Sequence, residues 1–156
     1  MRALVQRVKW AKVVVDGQTV GEIGPGILTL LGIGRGDSRE KLEWTVRKVL
    51  NLRIFEDSDG KMNLSVLDLA AGGAPEAYGH LLVSQFTLYG DTTKGTRPGF
   101  TEAAPPEVAR ALYDEALKIN SEIGGAVGVK TAGGVFQAHM EVTLLNDGPV
   151  TLWVEK

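Results

Sequence analysis

The first 34 residues, MRALVQRVKWAKVVVDGQTVGEIGPGILTLLGIG, constrain the fold more than any other stretch. They read as three strands parted by two turn signals, Asp16-Gly17 and Gly24-Pro25-Gly26. Turns this short join antiparallel neighbours. Asp37 then opens a helix, with Glu40 three residues on as a capping box. Leu42, Val46, Val49 and Leu50 fall on one face of that helix. Arg53 to Phe55 begins another strand, Asp57 to Gly60 is a turn, and a short pairing follows around Met62 to Leu69. Ala70 to Gly79 is a loop by composition.

The second half continues the pattern. His80 to Phe86 is its most strand-like run, with Leu81, Leu82 and Val83 continuously apolar, as in a strand buried on both faces. Pro105 and Pro106 start a second helix, whose stripe is Val108, Leu112, Ala116, Ile119 and Ile123. A Gly-rich link, Gly124 to Gly134, leads to a closing hairpin. Its arms are Met140, Val142, Leu144 and Val150, Leu152, Val154, each set on one face. Asn146-Asp147-Gly148 is ordinary hairpin chemistry. Pro149 is not, because the returning strand wants an N–H that proline lacks. The expected fold is α+β: one domain, residues 1–156, a largely antiparallel sheet curling towards a barrel, and two main helices.

Several function classes are excluded or weakened. The chain has no cysteine, which removes disulfides, zinc ribbons and a thiol nucleophile. A net charge of −2 argues against holding DNA or RNA by bulk electrostatics. No apolar run approaches membrane-spanning length and no signal peptide opens the sequence, so a cytoplasmic setting is expected. "GIGRGD" follows a strand and precedes a helix, but Asp37 occupies the third glycine of a dinucleotide fingerprint, so the stretch reads as a tight turn. "RGDS" is a chance match, and "DSDG" has its glycine too early for a calcium loop. Only His80 and His139 offer an imidazole, and Ser84 lacks the elbow of a serine hydrolase. No spacing of metal ligands occurs, and no cofactor is expected.

Two places stand out. Ser84, Gln85 and Thr87 crowd around Phe86 at the end of a buried strand, and such groups need hydrogen bonds from the protein or from a ligand. The loop beyond carries Lys94, Gly95, Arg97 and Pro98, suited either to an anion or to plain solvent exposure. The other place is Gly148-Pro149.

"SQFTL", "GTRPGF" and "NDGPVTLW", with the opening "VQRV…VVVDGQTVGEIGPGILTLLGIG", resemble the D-aminoacyl-tRNA deacylase family through nearly the whole chain and in the same order. Departures are local: "LAAGGAPEAYG" looks longer than the family's link, "VKTAGGVFQAHM" carries extra residues, and Gln137 stands where a small residue is common. The resemblance implies hydrolysis of the ester joining a D-amino acid to the 3′-terminal ribose of tRNA. It also implies a homodimer with a site at each subunit boundary, where a cis Gly148-Pro149 turn reaches the partner's pocket. Such a turn is a rigid main-chain wall, suited to rejecting L-amino acids whatever their side chain, while glycine passes. Backbone N–H groups around Phe86 and Thr87 would hold the oxyanion, with the 2′-hydroxyl assisting water. Ser84 and Gln85 would orient the strand end or the terminal adenosine, and Thr87 would hydrogen-bond, no base being apparent to make it a nucleophile. Arg7, in "VQRV", would brace the Gly-Pro turn, and Phe136 and Met140 would line the pocket. The alternatives are a non-catalytic module that binds the tRNA end, and a structural homodimer.

Overall fold

The computed structural model describes all residues, Met1–Lys156. The elements run β1 (Arg2–Val15), β2 (Gln18–Ile23), β3 (Gly26–Gly32), α1 (Arg39–Leu50), β4 (Phe55–Glu56), β5 (Met62–Leu64) and α2 (Val66–Gly72). After these come β6 (Gly79–Ser84), a 3₁₀ turn (Phe86–Tyr89), α3 (Pro106–Gly125), β7 (Lys130–Gly133) and β8 (Glu141–Glu155). β1 organises the sheet. One of its edges pairs antiparallel with β8 from Arg2↔Glu155 to Val14↔Glu141. The other pairs antiparallel first with β3, from Arg2↔Gly32 to Val8↔Gly26, then with β2, from Ala11↔Ile23 to Val15↔Gln18. The Asp16-Gly17 turn has both residues left-handed, φ 49° and 76°, as the tightest hairpin loop requires.

β3 continues into parallel pairing with β6, and β6 with β7. The ends of this path, β2 and β7, come round to meet: a Cβ on Gly21 would lie 2.5 Å from the Gly133 carbonyl oxygen. The sheet is therefore curled nearly shut. Glycine is also required where β3 meets β6, because a Cβ on Gly26 would sit 1.9 Å from the Gly79 carbonyl oxygen. A cluster of Val8, Ala11, Val13, Ile23, Leu28, Leu81 and Val83 fills the space the strands enclose. The larger cluster lies on the outer face, where Val5, Ile27, Leu31 and Leu82 meet Leu42, Val46, Val49 and Leu50 of α1 and Tyr113, Ala116 and Ile119 of α3. The unbroken run Leu81–Val83 follows from β6 feeding both clusters in alternation.

Local departures from the expected elements have physical reasons. Ser38, not Asp37, caps α1, its hydroxyl accepting from the Lys41 N–H at 3.3 Å. The Asp37 carboxylate instead accepts from the Gly34 N–H at 2.7 Å, tightening the turn before the helix. The pairing expected over Met62–Leu69 stops at Leu64. Ser65 and Asp68 then form a capping box, and α2 takes the residues up to Gly72. The stripe of α3 is rotated: Tyr113, Ala116, Ile119, Asn120 and Gly124 are buried, while Val108 is exposed. Part of the expected Gly-rich link is the strand β7, whose Gly133 passes so close to α3 that a Cβ would stand 2.5 Å from Leu117 Cδ2.

The largest correction concerns the closing hairpin. Met140–Leu144 and Val150–Val154 are not two arms of a hairpin, since both flanks lie on the same side of β1 in one continuous strand, β8. Between Gln6↔Thr151 and Val8↔Asn146, β8 spends five residues where β1 spends two, so Asp147, Gly148 and Pro149 are looped out as an enlarged bulge. The Asn146 side chain closes it from behind. Its Oδ1 accepts from the Val150 N–H at 3.1 Å, and its Nδ2 donates to the Val150 carbonyl at 3.2 Å. The amide thus replaces the strand pairing that the bulge interrupts, and Pro149 falls where no ladder N–H is wanted.

Candidate active site

Buried β6 delivers Ser84 to the sheet's rim, and the Gln85 N–H still pairs with the Leu31 carbonyl at 2.8 Å. The backbone then coils into the 3₁₀ turn, whose internal bonds begin with the Leu88 N–H donating to Gln85 O. A 3₁₀ turn leaves its first N–H groups without internal partners. Here those are the N–H groups of Phe86 and Thr87, which find no other acceptor in the chain. The Gln85 Nε2 donates to the Thr87 hydroxyl at 2.5 Å, and neither an imidazole nor a carboxylate bonds to that hydroxyl.

Beside this turn opens a cavity of about 820 Å³. Ser84, Gln85 and Phe86 form one side; Phe136 and Met140 form another, with Gln137 and His139 between them. Phe100, Ala103, Pro105 and Ala109 complete the wall where the chain enters α3, and Leu31, Ile33 and Arg35 close the floor and edge. The wall at Phe136 is fixed from behind. Tyr113 Oη donates to the Leu82 carbonyl at 2.8 Å and accepts from the Gly134 N–H at 3.0 Å, locking the β7–β8 link to β6. Burial pushes the Tyr113 phenol up to about 12, so it stays protonated. The Phe136 ring lies 5.9 Å from Tyr113, and Gln137 holds a left-handed φ of 64°. Phe86 and Phe100 meet edge to face at 5.1 Å.

Five of the nine candidate site residues, Ser84, Gln85, Phe86, Phe136 and Met140, therefore share one cavity, with Thr87 attached through Gln85. Arg7, Gly148 and Pro149 form a second assembly on the β1–β8 ladder, apart from that cavity in the single chain. Arg7 is buried. Its Nη1 donates to the Ile54 carbonyl at 2.6 Å and its Nε to the Asp147 carbonyl at 3.1 Å, with the Asp147 carboxylate 3.2 Å away. The Gly148-Pro149 bond is cis, and Gly148 has φ 136°. A Cβ there would lie 2.7 Å from Val150 Cγ2, so only glycine fits. Both residues are exposed at the tip of the bulge.

The histidines divide. His80 is fully buried in the core, taking a hydrogen bond from Thr29 Oγ1 at Nε2 (2.8 Å) and giving one from Nδ1 to Asn120 Oδ1 (2.7 Å). Desolvation lowers its pKa to about 4, the Asn120 bond opposing this. His139 lines the cavity with no hydrogen-bond partner among the side chains. Arg35, read from sequence as part of a chance match, also lines the cavity, and Phe100 could have been weighed from "GTRPGF".

Comparison with known proteins finds matches over nearly the whole chain. A model of the family described as D-Tyr-tRNA(Tyr) deacylase matches residues 4–155. A D-aminoacyl-tRNA deacylase of Carboxydothermus hydrogenoformans is 56% identical over 155 residues, which is 99% of each chain. One of Chloroherpeton thalassium is also 56% identical, over 99% of this chain and 95% of its own. A solved structure of a c-Myc DNA unwinding element binding protein superposes with a TM-score of 0.86 at 43% identity, covering 100% of this chain and 99% of that one. A probable eukaryotic D-amino acid tRNA deacylase, 18% identical, has the same fold, with a TM-score of 0.75 over 98% of this chain and 97% of its own.

Proposed function

The chain belongs to the D-Tyr-tRNA(Tyr) deacylase family and is a hydrolase of D-aminoacyl-tRNA; from that premise we propose how its cavity carries out the reaction and rejects the wrong enantiomer. The observation that carries the proposal is the pair of uncommitted N–H groups, Phe86 and Thr87, beside a cavity of a size that accepts an aminoacylated nucleoside. Water adds to the ester carbonyl, and the oxyanion of the tetrahedral intermediate is held by those two donors. Collapse breaks the bond from the carbonyl carbon to O3′, and O3′ takes a proton from the neighbouring 2′-hydroxyl, which water re-protonates. No side-chain base is needed, since the ester is already activated. Ser84 and Gln85 orient the adenosine, Phe136 and Met140 bound the amino-acid end, and Thr87 positions the substrate through its hydroxyl.

The wall comes from a second copy of the chain. Gly148-Pro149 is solvent-facing in one chain and braced by Arg7, so a rigid main-chain surface is available to enter a neighbour's cavity. The surroundings support such a neighbour. β8 has no partner on its outer edge, and Trp10, Leu145 and Trp153 are large apolar side chains 40%, 47% and 49% exposed on β1 and β8. The enzyme then reads what projects from Cα and not the side chain. Release assays on D-tyrosyl-tRNA, L-tyrosyl-tRNA and glycyl-tRNA test this. Rapid release from the first, none from the second and measurable release from the third are expected. Equal rates on both enantiomers would reject the wall, and tRNA binding without release would mark a non-catalytic binder.

A further inference from the structure

We propose that Arg35 and Arg110 form a phosphate clamp at the mouth of the cavity, gripping the sugar-phosphate link that leads from the terminal adenosine back to the rest of the RNA. The proposal rests on the deacylase reading and adds where the RNA backbone leaves the site. All six ion pairs in the chain involve other cations: the N-terminus, Arg2, Arg7, Arg39, Lys41 and Arg47. Arg35 and Arg110 are each bonded to a neutral oxygen instead. Arg35 lines the cavity and gives its Nε to the Thr101 carbonyl at 2.5 Å. Arg110 gives Nη2 to Gln137 Oε1 at 3.0 Å and lies 4.8 Å from the centre of the Phe136 ring.

Each group is therefore aimed and held without being neutralised. A guanidinium has five N–H donors, so most of the fork remains open to a bidentate acceptor, for which phosphate geometry is well matched. Arg35, on the β3–α1 turn, lines the cavity itself, and Arg110, on α3, stands against two of its lining residues, Phe136 and Gln137. Both arginines are exposed. The Glu102 backbone carbonyl accepts from the Arg35 N–H at 2.9 Å and Glu107 lies one helical turn before Arg110, but neither carboxylate forms an ion pair with either arginine. Lys94 and Arg97 add exposed positive charge on the adjoining loop, whose base is pinned by two Asp91–Gly99 backbone bonds of 2.7 and 2.9 Å. In a chain of net charge −2, cations left without a carboxylate beside the cavity suit an anionic ligand supplied from outside the chain.

The test compares D-tyrosyl-tRNA with D-tyrosyl-adenosine, which keeps the ester and nucleoside but has no phosphate. In Arg35→Gln and Arg110→Gln, the ratio of kcat/KM on tRNA to that on the adenosine ester should fall about tenfold each, mostly through KM. Arg47→Gln removes the same charge from α1, away from the mouth, and should leave the ratio within about twofold. The dependence of log kcat/KM for tRNA on log salt should lose about 0.7 of slope per arginine removed, and Arg35→Lys and Arg110→Lys should restore the slope. Parallel losses on both substrates with an unaltered salt slope would overturn the clamp and leave Arg110 as a prop for Phe136. A wild-type enzyme inactive on both substrates would overturn the deacylase reading itself.

Discussion

At the residue scale, Thr87, Arg7 and His80 separate chemistry from architecture. The Thr87 hydroxyl is held by the Gln85 amide and by no base. Thr87→Ala should therefore slow release from D-tyrosyl-tRNA by less than about tenfold, well short of losing a nucleophile or general base; complete loss with substrate binding intact would restore the nucleophile. Arg7 ties Asp147 to Ile54 from a buried position, so Arg7→Ala should cost on the order of 2–3 kcal/mol in urea unfolding. D-tyrosyl-tRNA hydrolysis should fall further than stability alone explains, because the Gly148 turn loses its brace. His80 titrates at about 4 in the fold against 6.5 outside it. Between these values the unfolded chain binds more protons, so stability is complete above about pH 6.5 and drains away as pH falls towards 4. Unfolding free energy followed over that window should show the slope, and His80→Gln should flatten it. None of the three roles was fully legible in the sequence. Arg7 stood out only through the family motif and Thr87 through the polar cluster at the end of a buried strand, while the Thr29 and Asn120 partners of His80, both far away along the chain, were not visible.

At the element scale, what local pattern decides was readable, and what a distant strand decides was not. β1 to β3, β6 and the apolar face of α1 follow from alternation, turn residues and helical spacing. α2 was missed because Met62–Leu69 is apolar enough to pass as strand, although Ser65 and Asp68 already spell a cap. That cap is testable: Ser65→Ala should cost about 1 kcal/mol. β7 was hidden by Gly133, which is needed where Leu117 comes close, and its seam with β2 is as tight, because a Cβ on Gly21 would meet the Gly133 carbonyl oxygen. Gly21→Ala should prise that seam apart and cost roughly 2–4 kcal/mol in unfolding free energy. The bulge was misread as a hairpin because Asn-Asp-Gly satisfies both. Only β1, more than a hundred residues earlier, determines that the chain runs on past the loop instead of turning back.

For the whole molecule, the curl of the sheet leaves three features facing outward: the cavity, the bulge and the bare edge of β8. If a second copy covers the latter two, sedimentation should give twice the chain's mass. Trp10 and Leu145 are cross-strand partners, both exposed. Replacing both by lysine should yield a folded monomer that releases no tyrosine, whereas a fully active monomer would break the link between assembly and activity. Sequence pattern reached the α+β class and the curled sheet, but not the cavity wall, which is gathered from β3, β6, α3 and the β7–β8 link. The Asn146 amide carries one more consequence. By stitching the ladder together behind Asp147, Gly148 and Pro149, it makes Gly148 and Pro149 an appendage that the neighbouring rungs of the ladder do not depend on. The tip at Gly148 and Pro149 can be redrawn while the zipper on either side stays fastened, but Asp147 cannot, because the buried Arg7 guanidinium leans on its carbonyl and its carboxylate.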